Sequence, residues 1–234
     1  MPRCLQCRQK FADPLTAVNF YRAPEILCEK CREGWKKQCL LFKSKKHKNM
    51  DEEGYCKQCL KPLATHDTRC SECVKLSRRF TLIDHLYCEY QNKDIVKETM
   101  NRYRNSGDTA LCEVIASQIH LPKKQYDFIV PIPSLIKEDM KRTFNPVTQV
   151  LNAKKVSYTN LLVKNRTTGS TAFQGKHNMK NPFDLTQAAH SFNLENKTIL
   201  LVNDIYTTGV TEHQAAEILF VRKIGKVDVF TFVR

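Results

Sequence analysis

Apolar residues are sparse through Phe80, and from Leu82 onward they gather into short runs and helical repeats. Thr81–Tyr90 alternates in the manner of a strand. Asn92 is then placed to cap a helix whose apolar positions Ile95, Val96, Met100 and Tyr103 recur at helical spacing. Gly107 breaks that helix, and Asp108 is expected to cap a second one carrying Leu111, Val114, Ile115 and Ile119. Asp127–Ser134 predicts a short strand ended by Pro131 and Pro133, after which Asn145-Pro146 supplies an N-cap and a first-turn proline for a helix through Val150 and Leu151. Leu161–Val163 is a further short strand, and the polar stretch from Lys164 to Asn181 reads as a loop. The apolar run Ile199–Val202 is too short for a helix and suits a strand buried on both faces. A helix from Thr211, with Thr211 as its cap, to about Lys223 follows, closed by Gly225, and Lys226–Val233 makes the last strand. This alternation of strands and helices predicts a parallel α/β sheet flanked by helices.

The sparse amino-terminal part has a different means of holding together. Eight of its cysteines form four C-x-x-C pairs, Cys4/Cys7, Cys28/Cys31, Cys56/Cys59 and Cys70/Cys73. Two residues between thiolates let both sulfurs face one metal while the backbone turns, so eight sulfurs suit two structural zinc ions. Pairing in chain order joins the first two pairs and the last two, and the spacing leaves a crossed arrangement open. None of the pairs opens a helix in a βαβ setting, which argues against a thioredoxin-like redox role. Small regions with little core commonly depend on a metal. A double zinc-ribbon domain over 1–79 and an α/β domain over 80–234 follow. Cys39, Cys88 and Cys112 are left over as buried or incidental.

Charge adds a candidate partner. The formal net charge is +14, and residues up to Phe80 carry 18 basic against 9 acidic side chains. Even with eight thiolates and two zinc ions counted, a charge of about +10 remains, which favours a polyanionic partner such as nucleic acid. The run Lys36-Lys37-Gln38-Cys39-Leu40-Leu41-Phe42-Lys43-Ser44-Lys45-Lys46-His47-Lys48 joins lysines for phosphates to a stacking face at Phe42 or nearby Trp35. Its plainer reading is a solvated connector. No apolar run is long enough to span a membrane, and Met1-Pro2-Arg3-Cys4 has no apolar segment behind it, so a cytoplasmic, reducing setting is expected.

The candidate chemistry lies at the end of the buried strand. Ile199-Leu200-Leu201-Val202 leads into Asn203-Asp204-Ile205-Tyr206-Thr207-Thr208-Gly209-Val210-Thr211. Ligands of open α/β sheets bind outside the carboxyl ends of the strands, and a small-residue turn opening a helix offers free N–H groups to a phosphate. Apolar run, acid, then Thr-Thr-Gly-x-Thr resembles the signature of type I phosphoribosyltransferases, which bind 5-phosphoribosyl-1-pyrophosphate (PRPP). The resemblance implies that Asp204 holds a ribose hydroxyl and is the catalytic residue, beside Asn203, that Thr207, Thr208, Gly209 and Thr211 hold the 5-phosphate, and that Tyr206 and Val210 also belong to the PRPP-binding turn. Asn203 stands where the family has the first of two acids. It hydrogen-bonds but brings no charge to stabilise a cationic ribose, so PRPP binding is better supported than turnover. Gly169–His177 is similar to a Walker A loop but fails, because its glycines are one residue too far apart and His177 replaces the magnesium-binding hydroxyl.

Across nearly the whole chain the pattern resembles the ComF family of bacterial competence proteins, closest to its ComFC members. The likeness is carried by the C-x-x-C pairs, Tyr103-Arg104-Asn105-Ser106-Gly107-Asp108, Val130-Pro131-Ile132-Pro133, Lys141-Arg142-Thr143-Phe144-Asn145 and the strand-turn stretch above. Ser106, Thr143 and Asn203 depart from the family's pattern. The resemblance implies a zinc ribbon followed by a type I phosphoribosyltransferase-like sheet, acting in DNA uptake during natural transformation. It further implies pyrophosphate contacts by Pro133, Ser134, Lys141 and Arg142, a closing loop with Arg166, Gln174 and Lys176, and Mg2+ bridging PRPP. Three functions follow in order: a PRPP-binding competence factor on single-stranded DNA, an active transferase to a nitrogen nucleophile, and a scaffold recruiting a DNA-translocating helicase.

Overall fold

The computed structural model describes residues 1–13, 21, 24–40, 54–63, 68–165 and 181–234. In chain order its elements are α1 (Glu29–Gln38), α2 (Ser71–Ser77), β1 (Leu86–Tyr90), α3 (Asp94–Asn105), α4 (Leu111–Gln118), β2 (Phe128–Pro131), α5 (Ile136–Arg142) and α6 (Pro146–Ala153). There follow β3 (Leu162–Lys164), β4 (Phe183–Leu185), a 3-10 turn (Gln187–Ser191), β5 (Thr198–Ile205), α7 (Val210–Phe220) and β6 (Lys226–Val233).

Ile199–Val202 is fully buried, as a two-faced core strand must be, and β5 lies second from one edge of a four-stranded sheet in the order β1-β6-β5-β2. All the pairings in this sheet are parallel. Side chains alternate across it. Ile199 and Leu201 join Val227 and Val229 in one core, while Leu200 and Val202 join Phe230 and Phe232 in the other. The first core also holds Cys56, Cys59, Cys70 and Cys73, and the second holds Cys4, Cys31 and Trp35 with the buried faces of α3, α4 and α6. The two cysteine-bearing segments therefore cover opposite faces of one sheet. The expected parallel sheet flanked by helices is what the chain forms.

Several local expectations shift for identifiable reasons. The Thr81–Tyr90 strand begins only at Leu86, because the Asp84 carboxylate accepts the Val227 N–H at 2.9 Å and occupies a donor of the ladder. Helix α3 starts at Asp94 behind Lys93 rather than at an Asn92 cap, and the Asn92 N–H is bonded to the Arg234 carbonyl at 2.6 Å. Asp108 does not cap α4, whose N-cap position is Ala110. Its carboxylate accepts from Arg102 at 2.6 Å and from Arg8 at 3.0 Å instead. The Asn145-Pro146 start holds, with Asn145 Oδ1 accepting from Val147 and Thr148 at 3.1 and 3.0 Å. The Leu161–Val163 strand lies one residue later, as β3, and pairs antiparallel with β4 in a separate two-stranded sheet. Phe42, Lys43–Lys48, the Gly169–His177 stretch, Arg166, Gln174 and Lys176 lie outside the described residues.

Trp35 is not a stacking face for nucleic acid. It is fully buried, edge-on to Tyr90 with ring centroids 5.0 Å apart, because its indole seals α1 against the second core. No helix among the described residues is long and apolar enough to cross a membrane.

Candidate functional site

β5 delivers Asn203 and Asp204 to the carboxyl end of the sheet, next to the end of β2, where the Ile132 N–H bonds the Val202 carbonyl at 2.8 Å. Asp204 is 7 % exposed. Its Oδ1 accepts the Ile205 N–H at 2.8 Å, and Oδ2 lies 2.9 Å from Arg104 Nε. That approach is an ion pair without hydrogen-bond alignment, since the buried Arg104 Nε–H has no acceptor along its own direction. Arg104 sits in the last turn of α3 and Tyr103 anchors it, the buried phenol donating to the Pro146 carbonyl at 2.8 Å.

The turn after β5 depends on one glycine. Gly209 has φ +81°, a conformation L side chains rarely adopt, and an added Cβ would run into the Tyr206 hydroxyl. Thr207 and Thr208 are exposed, whereas the side chains of Tyr206 and Val210 are buried, so the latter pair can offer a ligand only backbone groups. Helix α7 begins at Val210 with Gly209 at its N-cap and no side-chain cap. Thr211 is therefore inside the first turn and not the cap, because the left-handed glycine already turns the chain into the helix. The Glu212 N–H is turned to its own carboxyl, so the Val210 and Thr211 N–H groups are left for another acceptor, the arrangement that binds anions at helix starts. Below the turn, His213 is buried with Nδ1 2.7 Å from the Gly209 carbonyl. Burial draws its pKa down, and facing a carbonyl requires the proton on Nδ1.

Asn203 is tied to a partner the sequence did not reveal. Its Nδ2 donates to Glu212 Oε1 at 2.6 Å, and Glu212 is 1 % exposed within α7. Burial pushes Glu212 up to about 7 against the pull of the Asn203 hydrogen bond, and the charge of Asp204 adds to the rise. Lys164 at the end of β3 joins the same electrostatic neighbourhood. Burial lowers its pKa, opposed by Glu138, Asp204 and Glu212.

On the β2 side, Ser134 Oγ accepts from Asn145 Nδ2 at 3.3 Å, and the same amide donates to Asp139 at 3.0 Å. Arg142 is paired with Asp139 at 3.1 Å and with Glu138 at 3.7 Å, yet its buried Nε–H has no acceptor. Pro133 is half-buried and Lys141 exposed. The fold thus sets Asn203, Asp204 and the Tyr206–Thr211 turn beside the β2 end and supplies Arg104, Glu212 and Lys164, which sequence reasoning missed. Arg104 stood inside the noted Tyr103–Asp108 run. Glu212 left no local signal, since Glu212, His213 and Gln214 are consecutive polar residues that all prove buried.

The cysteines gather in chain order, Cys4, Cys7, Cys28 and Cys31 in one group and Cys56, Cys59, Cys70 and Cys73 in the other, with all sulfurs of a group within 4.8 Å of one another. The Cys7–Cys28 and Cys59–Cys70 sulfurs are 3.7 and 3.6 Å apart. A tetrahedron of thiolates about 2.3 Å from zinc has edges of about 3.8 Å, whereas a disulfide needs about 2.05 Å. Both groups can hold a zinc ion. Hydrogen bonding with Cys73 draws the Cys59 thiol down to about 5 against burial, and the charge of Arg234, whose guanidinium donates to Cys59 Sγ at 3.2 Å, adds to this.

No family model matches the chain. It is similar end to end to competence protein ComFC of Streptococcus pneumoniae (strain ATCC BAA-255 / R6), at 27 % identity over 98 % of this chain and 98 % of that protein. Competence protein ComFC of Bacillus subtilis (strain 168) is 25 % identical over 99 % of this chain and 94 % of its own length. Among solved structures, the allosteric regulatory enzyme of purine biosynthesis gives a TM-score of 0.34 at 17 % identity, covering 54 % of this chain and 25 % of that one. A hypoxanthine phosphoribosyltransferase from Staphylococcus aureus gives 0.27 at 15 % identity, covering 58 % and 62 %. The likeness to the ComFC competence proteins spans both the cysteine-bearing part and the sheet.

Proposed function

We propose that this chain is a ComFC-type competence protein that serves DNA uptake and binds PRPP at the Asn203–Thr211 turn. The observation that carries the reading is the turn itself, where a buried Asp204 lies beside a left-handed glycine and an uncapped helix start. A phosphate accepts the free N–H groups of α7, while Asp204 and Asn203 accept ribose hydroxyls. Thr207, Thr208 and Thr211 add hydroxyl donors, and Tyr206, Gly209 and Val210 add backbone. Pro133, Ser134, Lys141 and Arg142 border the pyrophosphate, with Lys141 exposed to meet it. Mg2+ bound together with PRPP would offset the pyrophosphate charge, with few protein ligands of its own.

Residues 1–79 form the zinc-bearing part and 80–234 the phosphoribosyltransferase-like part of this reading. Basic residues of the former contact single-stranded DNA, and a DNA-translocating helicase is the partner if that contact is absent. Asp204, whose carboxylate would face the cationic ribose, is the catalytic residue of the transferase reading. The test is calorimetric titration of Mg2+ and PRPP into zinc-loaded protein. Saturable binding, lost in Asp204→Ala, is expected, and absence of binding by the unmodified chain would sink the reading.

A further inference from the structure

We infer that Glu212 is a positioning residue that fixes the Asn203 amide so that its oxygen faces the ligand, letting an amide stand in for a carboxylate acceptor. The inference rests on the PRPP reading of this site and concerns how the site works without its first acid.

A free asparagine can offer either face, and the wrong one would present donors to a hydroxyl whose proton needs an acceptor. Here the ambiguity is removed from behind. Asn203 Nδ2 donates to Glu212 Oε1 at 2.6 Å and lies 3.4 Å from the Ile205 carbonyl, so both amide hydrogens have protein acceptors. Oδ1 is what remains for a ligand. Glu212 reaches this position from α7, beneath the turn, and is sealed from solvent. A buried carboxyl is costly unless it is hydrogen-bonded, and the 2.6 Å contact with the amide is the side-chain bond that meets this need. An aspartate at position 203 would instead set a third carboxyl beside Glu212 and Asp204 and leave Glu212 without the amide hydrogen it accepts. The strand end and the helix thus form a matched pair, Asn203 with Glu212, and neither choice is independent of the other.

The test is a set of four variants, Glu212→Leu, Glu212→Gln, Asn203→Asp and Asn203→Asp with Glu212→Leu, read by magnesium-PRPP calorimetry and by the Asn203 side-chain amide in NMR. Glu212→Leu frees the amide and is expected to weaken binding roughly tenfold, the scale of one oriented hydrogen bond. Glu212→Gln, which keeps an acceptor oxygen, recovers binding relative to Glu212→Leu. Asn203→Asp recovers binding in the Glu212→Leu background, because a carboxylate presents an acceptor either way, and weakens it when Glu212 is intact. Equal affinity of a folded Glu212→Leu and the unmodified chain would overturn the inference, as would failure of the double variant to recover. In ligand-free protein the two Asn203 amide protons are expected to be shifted and slow to exchange, and to lose both properties in Glu212→Leu. Amide protons unaffected by that change overturn the inference whatever PRPP does. Failure of PRPP to bind the unmodified chain instead sinks the site's reading, and the NMR result alone then decides the amide's orientation.

Discussion

The two cysteine groups share the C-x-x-C spacing, and in each the sulfurs lie within 4.8 Å of one another, but they brace different machinery. Cys56, Cys59, Cys70 and Cys73 are all buried in one core. From them α2 carries Leu76 against Val210, the first residue of α7, and Phe80, just beyond α2, joins this cluster with its ring centroid 6.0 Å from that of His213. Arg234 bonds Cys59 and stands 5.8 Å from the Tyr206 ring. The second group is thus the floor of the candidate PRPP turn. Cys7 of the first group is exposed, and its segment meets the body through Trp35 on Tyr90, through the Thr99 hydroxyl donating to Gln6 at 2.7 Å, and through Arg8 on Asp108. These contacts reach α3 and the sheet's other face. Identical chemistry therefore has unequal consequences, set by what each group is packed against.

The sharpest way to break this comparison is to disarm one group at a time. Cys73→Ser is expected to release one zinc ion, lower stability by about 4 kcal/mol or more, and abolish PRPP binding. Cys7→Ser should also release one ion but leave PRPP affinity within about threefold, because the turn does not rest on it. Metal content by mass spectrometry, with calorimetry on whatever remains folded, reads both. Equal loss of PRPP binding in the two variants would mean that the turn rests on both groups alike.

Within the turn, Gly209→Ala asks whether backbone shape alone matters. A side chain at φ +81° costs roughly 1–2 kcal/mol, and the clash with Tyr206 adds to it. Stability should fall by about 3 kcal/mol, read by urea denaturation, with PRPP affinity at least tenfold weaker. An unchanged midpoint would mean that the turn relaxes without its floor.

How much of this was visible in the chain follows the range of the interactions involved. The buried strand Ile199–Val202, the Asn145-Pro146 helix start and the four C-x-x-C pairs are local patterns, each read directly from neighbouring residues, whereas which pairs share a metal site was left open by their spacing and is set by the fold. Asp108 reads locally as a cap, but Arg102 and Arg8 claim its carboxylate, and Arg8 is distant in the chain. Trp35 reads as an aromatic among lysines, and only tertiary packing against Tyr90 makes it core. Arg104 and Glu212 are the instructive omissions. Their roles depend on which strand end and which helix turn meet, and no spacing rule encodes that.

Acidity probes the turn from a different direction. Glu212 is pushed up to about 7 from an ordinary value near 4.5. The native state thus holds a proton between those pH values that the unfolded chain has lost, so stability declines as pH rises from about 4.5 through about 7. The upper limit of the change is about 3 kcal/mol. Chemical denaturation across this window should show the decline, and Glu212→Gln should flatten it. A decline of equal size in Glu212→Gln would assign the titration elsewhere.

The smallest expected effect lies at the outer rim of the first group. Against burial, which pushes Asp108 up, hydrogen bonds from Arg102 and then Arg8 hold its carboxyl below the usual range. Arg8 is largely exposed, and a solvent-facing pair contributes about 0.5 kcal/mol or less once salt and side-chain entropy are counted. Arg102 is the stronger partner, shorter at 2.6 Å and more buried. Arg8→Ala should shift the denaturation midpoint barely, with PRPP affinity unmoved and zinc content intact. A loss of metal from the first group in this variant would show that Arg8 fixes the loop carrying Cys4 and Cys7 to the turn between α3 and α4, and that the outer group is less self-sufficient than its sulfur geometry implies.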